Sequence, residues 1–328
     1  MSEHGVALVT GAGGFIGSAV ATRLADVGYQ VRAGLRSSAL PETLRRREGL
    51  VATPCDLDQP GDLRAAVDGA DVVVHAAYGP DAEMEPQCRR LLAAMAEAGC
   101  GALVHFSSIA VYGEREGAIV ESDGPVGSPG GYGDAKIACE AAIAAWAGER
   151  PADRRALLLR PGAVYGRGSR FWVDKTRARL EAGALGDLGP AGDGVAPLIH
   201  VDDVAEMTFA AVRRLTDVAP FEGVAALNLV GPETPSWNRY FADLAAAAGL
   251  LAPRSIGAVE RAFRAALLRP AQIGRRLGLP GLAGLALSPA PGERALFARR
   301  AAFSTEAAER VLLTSAVIGL KDGLARSV

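Results

Sequence analysis

A phenol, an ammonium and two hydroxyls stand in an order that could move a proton. Tyr132 and Lys136 are four residues apart, so on a helix they project from one face. A free phenol ionises near pH 10, too high for ready exchange at neutrality. A cation beside it favours the phenolate and brings it into the range of acid–base chemistry. Ser107 and Ser108 lie upstream, and a serine hydroxyl next to the phenol could hold a carbonyl oxygen in line. Many helices carry this spacing by chance, with both residues facing water. The pattern gains meaning only if the chain also builds a nucleotide site ahead of it.

It does. Val6-Ala7-Leu8-Val9-Thr10 is a continuous apolar run that reads as a buried parallel strand. Gly11-Ala12-Gly13-Gly14-Phe15-Ile16-Gly17 follows at once, then a helical pattern through Val27 closed by Gly28. A strand, a tight glycine turn and a helix N-terminus make a cradle for a pyrophosphate. Gly11, Gly13, Gly14 and Gly17 let the backbone approach the phosphates, while Phe15 and Ile16 pack the helix on the sheet. Gln30 to Leu35 is the second strand, and its end selects the cofactor. A carboxylate there would accept from the adenosine ribose. The chain has Leu35-Arg36-Ser37-Ser38 instead. Arg36 offers a charged fork to a 2′-phosphate, so NADP(H) is expected over NAD(H).

Further strands are expected at Leu50–Pro54, Ala70–His75 and Ala102–Phe106, with a helix from Asp81 to Ala98. Ala76 and Ala77 are small enough for a nucleotide to lie against their backbone. Ser107-Ser108 comes at the carboxyl end of the fifth strand, where open parallel sheets bind ligands. The stretch from Glu114 to Gly131 reads as loop, Ala156–Leu159 as a sixth strand, and Ala225–Val230 as a later one. Asp202 or Asp203 is expected to cap a helix running to Leu215. Strict alternation implies an α/β fold, a doubly wound parallel (Rossmann) sheet, with a smaller, mostly helical C-terminal lobe. The expected division is 1–168, with 200–230 returning to it, against a substrate lobe of 169–199 and 231–328.

Composition narrows the partners. Of 328 residues, 49% are hydrophobic and 22% charged, a globular balance. A formal net charge of -2 gives no basic surface for nucleic acid, and the arginine clusters at 45–47, 275–276 and 299–300 are short. Cys55, Cys88, Cys100 and Cys139 are scattered, and the four histidines do not join them, so neither metal nor disulfide framework is expected. With no signal-like leader and no apolar run long enough for a bilayer, a cytoplasmic protein without a membrane partner is expected. The greasy stretch from Leu279 to Leu287 is short and suits the cover of a pocket.

Taken together, Thr10 to Gly17, His75-Ala76-Ala77, Ser107 to Gly113, Tyr132-x-x-x-Lys136, Arg160-Pro161 and His200-Val201-Asp202-Asp203 resemble the extended short-chain dehydrogenase/reductase family, in its NAD(P)-dependent epimerase/dehydratase branch. The likeness spans roughly the first 230 residues. It implies Tyr132 as catalytic acid/base, Lys136 as the group that lowers its pKa and holds the nicotinamide ribose, and Ser108 as the hydroxyl on the reacting oxygen. It also implies Asp56 and Leu57 against the adenine and Pro161 to Val164 beside the nicotinamide. His200, Asp202 and Asp203 match the family but read as a strand end and helix cap. The family commonly pairs the 81–98 and Tyr132 helices into a homodimer; their small faces equally suit packing within one chain.

The chain departs from the family in places that bear on substrate. Sugar-nucleotide members commonly carry asparagine where Ala163 stands, and the late Arg-Pro-x-Asp signature is missing around Ser288 to Arg294. Ile109-Ala110 cannot supply the acidic pair of dehydratases. Arg167, Arg170, Lys175, Arg177 and Arg179 could still meet phosphates. The expected function is an NADP(H)-dependent oxidoreductase interconverting a secondary alcohol and a ketone. One alternative is an NAD(P)-dependent sugar or sugar-nucleotide epimerase using the same three side chains. A non-enzymatic alternative is a dinucleotide-sensing regulator, which would need the glycine turn but not the hydroxyls.

Overall fold

The computed structural model describes residues 5–36, 40, 42–45, 47–127, 131–217, 221–276 and 283–328. Ser37 and Ser38, Arg46 and the start of the 279–287 stretch lie outside them. In chain order the first half runs β1 (Val6–Thr10), α1 (Phe15–Asp26), β2 (Gln30–Leu35), α2 (Glu42–Arg45), β3 (Leu50–Pro54), α3 (Pro60–Val67), β4 (Val72–His75), α4 (Asp81–Ala98), β5 (Ala102–Phe106) and β6 (Gly117–Ile119). Then come α5 (Tyr132–Glu149), β7 (Arg155–Pro161), β8 (Ala163–Tyr165), α6 (Lys175–Glu181), β9 (Leu198–His200), α7 (Val201–Thr216), β10 (Val224–Leu229) and α8 (Trp237–Ala247). Among the described residues, five further helices and a short β11 (Ala301–Phe303) follow.

Seven parallel strands form the main sheet in the order β10-β7-β5-β4-β1-β2-β3. Its central strands β4 and β5 are buried along their whole length and apolar apart from His75 and His105, because helices cover both faces and leave no side for water. One face packs on α1 and α7 through Val20, Leu24, Val204 and Leu215. The other packs on α3, α4 and α5 through Leu63, Leu91, Met95 and Ile143. Register brings the strand ends level: Thr10 lies beside His75, His75 beside His105, and Phe106 beside Leu159. Everything emerging from β1, β4, β5 and β7 therefore meets at one edge, the ligand edge of such sheets.

A separate core joins β8, β9 and the last third. Trp237, Tyr240 and Phe241 of α8 stack with Phe297 and Tyr165, all buried. Each such ring removed from water contributes about 1.5–3 kcal/mol. β8 pairs with β9 in a small sheet of its own. β11 pairs in parallel with β6, inside the stretch read as loop. Three residues, Gly117-Ala118-Ile119, carry no strand signal of their own, and a partner 184 positions away creates the pairing, reinforced by Arg299 donating to the Arg115 carbonyl at 2.6 and 2.8 Å.

One cap also differs from expectation. The helix to Leu215 starts at Val201, and its N-cap is His200, whose ring accepts from the Asp202 N–H at 3.2 Å. Asp203 instead accepts from the N–H groups of Val317 and Ile318 at 3.1 and 3.0 Å, tying α7 to the C-terminal segment. Among the described residues no helix is long and apolar enough to cross a membrane.

Candidate active site

The glycine turn after β1 is built for close approach. Gly11 holds φ at +68, and a Cβ there would lie 2.6 Å from the Ala77 Cα. A Cβ on Gly17 would lie 2.2 Å from the Gly11 carbonyl oxygen. Gly14 caps α1 without a side chain, so the N–H groups of the first helical turn face outward unobstructed. Thr10 clamps the neighbouring strand end: its hydroxyl bonds His75 Nδ1 at 2.8 Å and accepts from the Ala77 N–H at 3.3 Å. Ala76 and Ala77 are thereby held level with Gly11. Phe15 and Ile16 are half-buried against the sheet core.

At the adenosine end, Leu35 is buried and Arg36 is exposed. Asp56 is half-buried and accepts from the Asp58 N–H at 3.0 Å, while Leu57 is buried behind it. On the far side, Pro161 and Val164 are buried where β7 gives way to β8. These positions line the edge of the sheet from β3 to β7 and fit a dinucleotide, with the tight glycine cradle as the direct structural observation.

Ser108 and Tyr132 meet at that edge. Ser108 follows β5 as the N-cap of a short helical turn, accepting from the Ala110 N–H at 3.1 Å. Its side chain lies beside the Tyr132 phenol and favours the ionised form. Burial pushes that phenol up to about 12, a shift that Ser108 only partly opposes. The net shift runs opposite to the lowering expected from Lys136. Lys136 is buried, donates to the Phe106 carbonyl at 2.7 Å, and lies 5.7 Å from the Tyr132 ring centre. Burial lowers its own pKa, so desolvation outweighs the cation's field on the phenol. The exposed Tyr78 ring stands edge-on to Tyr132 at 5.9 Å.

Beneath Lys136 lie two imidazoles from separate strands, paired only by the register of the sheet. His75 and His105 sit side by side on β4 and β5, ring centres 5.2 Å apart. Burial, assisted by the Lys136 charge, pushes His75 down to about 3 and His105 well below its ordinary value. Both rings are neutral in the folded protein, whereas in the unfolded chain they take up protons below about pH 6.5. From pH 6.5 down to about 4 the unfolded state binds more protons, so stability is lost as pH falls. The slope is about 1.4 kcal/mol per pH unit for each ring. Urea midpoints should accordingly drop between about pH 7 and pH 5, and His105→Phe should flatten the drop. A midpoint that holds constant over this range would refute the assignment of neutral rings.

A second buried constellation escaped the sequence reading altogether. Glu140 of α5 accepts from Ser107 Oγ at 2.5 Å and, with both oxygens, from Arg160 at 2.8 and 2.6 Å. Arg160 also donates to the Tyr112 hydroxyl, which donates to Asn228, both at 2.8 Å. A glutamate four residues past Lys136 in an alanine-rich helix was the available signal.

Of the five basic residues that could meet phosphates, three are engaged. Lys175 and Arg179 pair with Glu293 at 3.0 and 2.7 Å, and Arg177 with Glu181 at 2.8 Å. Arg167 and Arg170 are exposed.

A level-ended parallel sheet with a glycine cradle beside a hydroxyl pair defines a dinucleotide-binding Rossmann protein. The NAD dependent epimerase/dehydratase family model matches residues 7–224, and the chain belongs to that family. It is an NAD(P)-dependent oxidoreductase/epimerase of the extended short-chain dehydrogenase/reductase type. A ceramide reductase of Caulobacter vibrioides is 28% identical over 239 residues, 72% of this chain and 68% of that protein. Cinnamoyl-CoA reductase 1 of Petunia hybrida is 38% identical over 121 residues, 33% of this chain and 36% of that one. The solved structure of MoeE5 in complex with UDP-glucose and NAD aligns with a TM-score of 0.73 at 27% identity, covering 98% of this chain and 97% of that one. UDP-glucuronic acid 4-epimerase from Bacillus cereus in complex with NAD shares the fold, with a TM-score of 0.70, 21% identity and 98% and 94% coverage.

Proposed function

We propose that this enzyme is an NADP(H)-dependent oxidoreductase that interconverts a secondary alcohol and a ketone, with Ser108, Tyr132 and Lys136 as its working side chains. The observation that carries the reading is the meeting of Ser108 and the Tyr132 phenol at the sheet edge, with Lys136 one turn along the same face, 5.7 Å from the Tyr132 ring centre. The bound nicotinamide supplies or accepts the hydride. In the reducing direction Ser108 holds the carbonyl oxygen, and Tyr132 gives it a proton as hydride reaches the carbon. A phenol held protonated by burial is the correct starting form for that donation. Lys136 then steadies the phenolate until it regains a proton. The reductase relatives favour net redox chemistry. The nearly full-length likeness to MoeE5 favours the second reading, a nucleotide-sugar epimerase. Against it stand Ala163 in place of asparagine and the three basic residues already committed to carboxylates.

NADPH mixed with a panel of ketones and aldehydes, and NAD⁺ or NADP⁺ mixed with UDP-glucose, separate the two. Oxidation of NADPH in step with loss of a carbonyl compound is expected. Conversion of UDP-glucose to its epimer with no net change in cofactor would decide for the epimerase.

Cofactor choice rests on Arg36, since Leu35 cannot accept from a ribose and the Arg36 fork matches a phosphate. NADP⁺ should bind more tightly than NAD⁺, and Arg36→Ala should erase most of the difference, on the order of 1–3 kcal/mol. Titration calorimetry with both cofactors reads this, and equal affinities in the parent protein would sink it.

A further inference from the structure

Glu140 lies one turn beyond Lys136 and two beyond Tyr132, on the same face of α5. Its carboxylate is nearly sealed from water, as is the Arg160 guanidinium, with 8% and 4% of their side chains exposed. Each oxygen is used. Oε1 accepts from Ser107 Oγ and Arg160 Nε, and Oε2 accepts from Arg160 Nη2. Ser107 is the residue before Ser108, and its N–H is fixed to the Leu159 carbonyl at 2.7 Å. Arg160 precedes Pro161 at the end of β7. The remaining Nη1 holds the Tyr112 hydroxyl, whose partner Asn228 is on β10. One ion pair thus joins the helix bearing Tyr132 and Lys136 to the strand ends bearing Ser108 and Pro161.

Stability alone is a poor reason for such a pair. Removing two charges from water costs as much as their attraction returns, and apolar residues of similar volume often serve the fold as well. What apolar residues lack is direction: a bidentate guanidinium–carboxylate contact fixes both distance and angle. Resting on the functional reading above, we propose that Glu140 and Arg160 are positioning residues, setting the rotation and height at which α5 presents Tyr132 and Lys136 to Ser108.

The test replaces the pair by an apolar one, Glu140→Leu with Arg160→Met, so that no buried charge is stranded. A merely structural pair predicts parental melting and parental turnover. A positioning pair predicts near-parental melting, a retained thermal shift with NADP⁺, and turnover lower by about a hundredfold, since an ångström of misplacement has that effect. The crystal structure of the double variant should also show Tyr132 moved away from Ser108. That readout needs no substrate. Should the double variant fail to fold, Glu140→Asp keeps the charge and shortens the arm, and the same two readouts apply to it. Parental turnover with the Ser108–Tyr132 contact intact, in either variant, would overturn the proposal. Tyr132→Phe measured alongside separates the ideas: if it keeps full activity, the catalytic reading fails, while the crystal geometry still decides the positioning role.

Discussion

Tyr132→Phe should lower turnover by roughly two to four orders of magnitude, the usual yield of a positioned general acid. The ring stays, so its packing beside Tyr78 and the shape of the sheet edge are kept. Only the hydroxyl beside Ser108 is lost. Cofactor affinity should therefore be unchanged, and the loss should appear in kcat more than in KM. Ser108→Ala should follow the same pattern more mildly, because the phenol survives. Lys136→Met should weaken cofactor binding as well. It also strips the Phe106 carbonyl of its donor, so part of its effect will be on stability. Steady-state kinetics on an accepted carbonyl substrate, with cofactor binding measured separately, distinguishes the three. Parental turnover in Tyr132→Phe would leave a dinucleotide-binding protein whose hydroxyls do no chemistry.

Gly17→Ala should weaken cofactor binding strongly, from the opposite side of the site. A methyl there would sit 2.2 Å from the Gly11 carbonyl oxygen and 2.8 Å from its carbon. Backbone cannot step aside as a flexible side chain can, so α1 must move away from the turn. Overpacking of this kind costs about 1–3 kcal/mol in stability. The same displacement carries the helix N-terminus off the pyrophosphate path, and each 1.4 kcal/mol lost there is about tenfold in affinity. A drop of about one to two orders of magnitude is expected in calorimetry, with a lower melting temperature. Gly61→Ala is the control, since a Cβ there meets nothing within 4 Å. Parental affinity in Gly17→Ala would mean that the helix and turn are not the phosphate cradle.

The two predictions fall on features of different legibility. The glycine turn, the β1 to β5 alternation and the Tyr132-x-x-x-Lys136 spacing were all written locally. A φ of +68 at Gly11 or a continuous apolar strand depends on a few adjacent residues, and so does one face of a helix. The position proposed to select the cofactor is likewise read from local sequence, as the first residue past a short strand.

Other features depended on which distant parts meet. β6 exists only because β11 arrives beside it. His200 rather than an aspartate caps α7, since Asp203 is drawn to the backbone of Val317 and Ile318. Lys175 and Arg179 looked free for phosphate until Glu293 was brought against them. The Tyr132 phenol could be placed near a cation from sequence, yet the direction of its pKa was decided by how completely the fold buries it. Spacing along a chain fixes which groups can share a face. The dielectric around them, and the long-range partner that claims each charge, are set only when the whole chain closes over the site.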